Sequence, residues 1–129
     1  MIKGVKLVSV PVSDQGQAVA FYRDKLGFEK TTDAPFMEGK RWIEMTPPGG
    51  GTRVVLFPPM EGHEDRLGSF QPIVFTTDDV EREYENLTAQ GVEFAQPPKK
   101  EQWGWSSVFK DQDGNMFALT SDVEVGIVE

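Results

Sequence analysis

The chain has 129 residues, 38% of them hydrophobic and 26% charged, with no cysteine and a net charge of −8. One domain of this size can bury a core without staples, and the missing thiols exclude disulfides, thiolate catalysis and cysteine-ligated metals. The acidic balance argues against nucleic acid and anionic membranes as partners, since both require a basic footprint, and is compatible with a cationic small molecule.

In chain order, residues 5–12 (VKLVSVPV) read as a strand, too short to span a bilayer and lacking a signal peptide's cleavage region. A cytoplasmic protein is the default expectation. Next, Asp14 with Gln17 has capping-box spacing, Ala18, Phe21, Tyr22 and Leu26 keep helical register, and Gly27 stops the helix. Three strand-like runs follow: FEKTTD, RWIEMT and, after PPGGG, TRVVLF. The polar segment PPMEGHEDRLG reads as a linker, about 59–69, between modules at about 1–58 and 70–124.

Beyond it the order recurs. PIVFTT is a strand, DDVEREYENLTAQ a helix opened by Asp78 with Glu81 and ended by Gly91, and VEFAQ, WGWSSVFK and NMFALTS are strands. Asp113-Gly114 or Gly114-Asn115 supplies the last turn. Three pairs, Asp14 and Asp78, Gly27 and Gly91, Gly50 and Gly114, are each 64 positions apart. Matching element order at a shared offset predicts a duplicated βαβββ unit: an α+β fold in which two modules build a half-closed, eight-stranded cup. Three strands after each helix argue against a doubly wound sheet.

Few residues offer chemistry. His63, the single histidine, stands among Glu61, Glu64 and Asp65 on the linker, where adjacent donors do not converge. Asp111-Gln112-Asp113-Gly114 begins like a calcium loop, but its glycine comes too early and no glutamate closes it. Glu44 is the one acid in an apolar strand: a buried base with a raised pKa, or the partner of Arg41 or Arg53. Trp42, Trp103 and Trp105 are core material or cavity walls.

The stretches VSDQGQAVAFYRDKLGFE, DDVEREYENLTAQGVEF and WGWSSVFKDQDGN resemble the vicinal oxygen chelate superfamily. That group includes glyoxalase I, extradiol dioxygenases, fosfomycin-resistance transferases and bleomycin-resistance proteins. The resemblance implies a cup whose enzymes hold a divalent metal with His and Glu side chains. Leu7 and Pro72 fall where the family carries a histidine ahead of each helix, and Val54 and Ala118 where it carries a glutamate past each final turn. None is a donor, nor are their immediate neighbours, so no metal and no cofactor is expected.

If the last turn holds an even number of residues, Trp105, Ser107 and Phe109 share the face of Ala118. By the repeat, Arg41, Ile43 and Met45 share the face of Val54. The expected ligand-binding set is therefore Arg41, Met45, Val54, Trp105, Phe109 and Ala118. The WG step before the turn is similar to the bleomycin-resistance branch, which implies a homodimer binding a small organic molecule without metal. The competing expectation is a glyoxalase-like lyase or dioxygenase with unusual ligands such as His63 and Glu44.

Overall fold

The computed structural model of the protein describes residues 1–121. The chain divides into two compact units, Met1–Gly68 and Ser69–Glu129. In the first, the elements are β1 (Leu7–Pro11), α1 (Gln15–Asp24), β2 (Glu29–Pro35), β3 (Arg41–Thr46) and β4 (Arg53–Phe57). The second repeats them as β5 (Phe70–Thr77), α2 (Val80–Ala89), β6 (Phe94–Glu101), β7 (Gly104–Lys110) and β8 (Met116–Ser121). Each unit is a four-stranded mixed sheet, ordered β1-β4-β3-β2 and β5-β8-β7-β6. The first and last strands of each module run parallel and the other pairs antiparallel. The fold is thus α+β, two βαβββ modules, with the eight strands divided between two open sheets.

Local chemistry accounts for the boundaries. Asp14 caps α1, its side chain accepting from the Gln17 amide. The second helix is capped by Asp79, which accepts from Arg82, and not by Asp78. Capping at Asp79 turns Val80 and Leu87 inward, each 2% exposed. β6 runs past the expected VEFAQ through Pro97 and Pro98 to Glu101. It lies at the sheet edge, where a missing amide donor is tolerated. Of residues 122–129, the expected module end at 124 lies outside the described residues.

Strand alternation assigns the two faces of each sheet. In the first unit Val10, Met45, Val54 and Leu56 are fully buried together with Ala18 and Tyr22 of α1. α1 packs against β2, β3 and β4, and the Gln15 side chain ties it to the Arg41 and Leu56 carbonyls. In the second unit Tyr84 of α2 meets Phe94 at 4.7 Å between ring centroids. Phe94, Phe109, Phe117 and Phe75 continue that contact as one aromatic cluster under the helix.

Candidate functional site: an aromatic pocket on the first sheet

On β3 and β4 the residues that alternate with Ile43, Met45, Val54 and Leu56, namely Trp42, Glu44, Val55 and Phe57, point to the face opposite α1. Ser9 and Pro11 of β1 join them through the register Ser9 with Val55 and Pro11 with Phe57. This face opens into a pocket of about 650 Å³. Phe36, Trp42 and Phe57 form its aromatic wall, with ring centroids 5.1 Å (Phe36 to Trp42), 5.8 Å (Phe36 to Phe57) and 5.9 Å (Trp42 to Phe57) apart. Met37 and Met60 add polarisable thioethers, and Lys40, Glu61 and Arg66 supply charge. Such a cavity, mostly apolar with few polar groups, suits a small organic molecule.

Beside this wall, Glu44 is 6% exposed and fully engaged. One carboxylate oxygen accepts from Arg53 Nη1 at 2.9 Å, the other from Trp42 Nε1 at 2.9 Å. The Arg53 and Trp42 bonds hold its pKa below the usual glutamate range, against the opposing effect of burial. Of the two sequence readings of Glu44, the arginine partner holds, with Arg53, and the raised-pKa base does not: Glu44 is an ion-paired carboxylate that fixes the indole of Trp42.

Within the first unit the residues expected to bind lie on the face that α1 covers, and within the second they are split between the two faces of the sheet. Met45 stands opposite Val54, but on the face covered by α1, and both are core. Arg41 is exposed and bonded to Asp33, whose pKa Lys30 and Arg41 hold down. Trp105, Ser107 and Phe109 do not share a face with Ala118. Lys110 pairs with Met116, so the turn holds an odd number of residues, and Phe109 faces Phe117 while Val108 faces Ala118. Phe109 is 2% exposed inside the aromatic cluster, Trp105 is half-buried on that same side, and Ala118 lies on the open face beside exposed Val74. The turn is built by Asp111, whose carboxylate accepts from the Asp113 and Asn115 amides and the Asn115 side chain. That is turn chemistry, with Gly114 at φ 79°.

Phe36 and Phe57 were not singled out in the sequence, and Trp42, read there as core or cavity wall, was left out of the expected binding set because the register was anchored on Val54. A usable signal was present: Trp42 and Glu44 alternate with Ile43 and Met45, so aliphatic and aromatic-polar faces are separable.

The family's metal positions can be tested against this geometry. Leu7 stands opposite Arg53 on the open face, whereas Val54 faces α1. Pro72 and Ala118 bring no donor in the second unit. Among the described residues no three His, Asp or Glu side chains gather, and His63 precedes an exposed 3₁₀ turn over Glu64–Arg66 without a side-chain capping bond. These positions do not fit a divalent metal.

Paired βαβββ modules define the class of protein: vicinal oxygen chelate folds. The chain belongs to the Glyoxalase/Bleomycin resistance protein/Dioxygenase superfamily, whose family model matches residues 4–119. It is 40% identical to protein YetH of Bacillus subtilis strain 168, over 92% of this chain and 98% of that protein. A member of the superfamily from Sphaerobacter thermophilus superposes with a TM-score of 0.85 at 36% identity, covering 94% of this chain and 98% of that one. TnmS3, an antibiotic binding protein from a Streptomyces species, gives 0.83 at 34% identity, over 93% and 96% of the two chains. Among the described residues no helix is long and apolar enough to cross a membrane.

Proposed function

We propose that the protein binds a small organic molecule, without a metal, in the pocket walled by Phe36, Trp42 and Phe57. The observation that carries this reading is the aromatic wall itself: three rings held on the sheet face that the helix leaves open, around a cavity of ligand size. Rings of this kind offer stacking surface to a flat or apolar guest. The likeness to an antibiotic binding protein supports it. The lyase or dioxygenase reading is weaker, because Glu44, its intended ligand, already spends both oxygens on Arg53 and Trp42.

The binding role therefore moves from Met45, Val54 and Phe109, which are core, to the open face. Trp105 and Ala118 lie on opposite sides of one sheet, so at most one of them serves a given cavity. We also propose a homodimer in the cytoplasm, since exposed Phe70 and Val74 and the unpaired edge strands call for cover. Sedimentation equilibrium giving only the 14.4 kDa species would remove the dimer.

The test of binding is a thermal-shift screen of planar aromatic compounds, followed by titration of the best hit. Trp42→Ala should weaken it by about tenfold or more while the far-UV spectrum is retained. A hit indifferent to Trp42→Ala places binding elsewhere, and loss of binding on adding EDTA restores the metal reading.

A further inference from the structure

The whole chain is acidic, yet the pocket is not. Its wall carries charged side chains of both signs, and one of them, Lys40, stands over an aromatic ring. The nearby Glu44 is neutralised by Arg53. Lys40 belongs to the hairpin that also places Phe36: the Lys40 amide donates to the Met37 carbonyl at 2.8 Å, and the Phe36 amide donates to the Lys40 carbonyl at 3.3 Å. That turn sets the ammonium 5.8 Å from the centroid of the Phe57 ring, inside the aromatic wall. No carboxylate among the described residues forms an ion pair with Lys40. A cation held over a ring, with no anion of its own, is available to an incoming one.

We propose that the pocket selects a planar aromatic molecule bearing an anionic group, a carboxylate or phenolate, over neutral or cationic molecules of the same shape. This rests on the reading that the pocket is the binding site. The ring plane would stack on Trp42 and the anion would meet Lys40. Net charge was compatible with a cationic partner, but net charge acts at long range and is screened within about 10 Å at ordinary salt. The groups lining the cavity act at contact distance and set the choice.

The experiment uses three probes on one frame: naphthalene-2-carboxylate, its neutral carboxamide and naphthalen-2-ylmethylammonium, titrated calorimetrically into the full chain. The carboxylate should bind on the order of threefold tighter than the carboxamide, and the ammonium more weakly than either. Lys40→Met should bring the carboxylate-to-carboxamide ratio close to one, and raising salt about tenfold should shrink it in the same direction. A carboxamide that binds as well as the carboxylate, with both lost in Trp42→Leu, overturns the charge preference and leaves the pocket reading standing. A preference that survives Lys40→Met overturns it as well. If no probe binds, or if Trp42→Leu changes none of the affinities, both readings fall.

Discussion

In the first unit Phe36, Trp42 and Phe57 gather on the open face of the sheet, with Tyr22 and Phe28 left to the helix side, whereas in the second Phe75, Phe94, Phe109 and Phe117 gather under the helix. The strand orders are the same, so topology did not decide this. Parity did. Val54 and Ala118 each stand four positions past a turn glycine, Gly50 and Gly114, both at positive φ. Yet Val54 faces α1 and Ala118 faces away from α2. A one-residue difference in the path from turn to strand exchanges every side chain between faces. The second unit could therefore bury Phe75, Phe94, Phe109 and Phe117 as core, and the first left Phe36, Trp42 and Phe57 with an open wall.

Truncating one ring on each side is the strongest way to break that comparison. Phe109→Ala removes a ring from the closed cluster and should cost about 3–5 kcal/mol in chemical denaturation. Phe57→Ala, from the open wall, should cost about a third of that and instead reduce ligand affinity. Equal losses of stability would make the open rings core as well.

The order of elements and the first helix cap were legible because Asp14, Gln17 and Gly27 act through local geometry. The second cap was not, since Asp78 and Asp79 are adjacent and only the inward packing of Val80 and Leu87 selects between them. The single 64-residue offset hid a drift: the caps Asp14 and Asp79 are one position further apart, while Gly27 and Gly91 keep 64. Strand runs show alternation but not which face a helix will cover. Hence the aliphatic Met45 and Val54 were placed in the cavity and the aromatic Trp42 was not.

The buried polar groups extend the contrast between units and give a smaller effect. In the first unit Glu44 is satisfied twice, and the Arg53 and Trp42 bonds lower its pKa. A folded-state pKa below the unfolded one adds stability above the unfolded value of about 4.3, and that stability is lost as pH falls through the folded value. Arg53→Met should then cost about 1–2 kcal/mol at neutral pH, reduced from a fully buried pair because the Arg53 side chain is 43% exposed. The deficit relative to the unaltered protein should narrow as pH is lowered through the carboxylate range, since protonated Glu44 no longer needs the guanidinium. Other acids titrate in both proteins and cancel in the difference. A deficit independent of pH would assign Arg53 to packing of its stem alone.

Ser107 is the counterpart in the second unit. It is fully buried on the helix side of β7, between the side chains of Trp105 and Phe109 along that face, and opposite Leu119. Its Oγ has no hydrogen-bond partner, so folding strips water from the hydroxyl and returns nothing. Ser107→Ala deletes that oxygen while keeping the methylene that packs on the cluster. The lost volume is small, so the desolvation relief outweighs the new void, and the variant should be more stable by about 0.5–1 kcal/mol. Thermal unfolding at matched concentration reads this as a rise in Tm. A fall would mean that the hydroxyl is satisfied by a buried water, leaving Gln112 Oε1 as the second unit's remaining buried acceptor without a partner among the described residues.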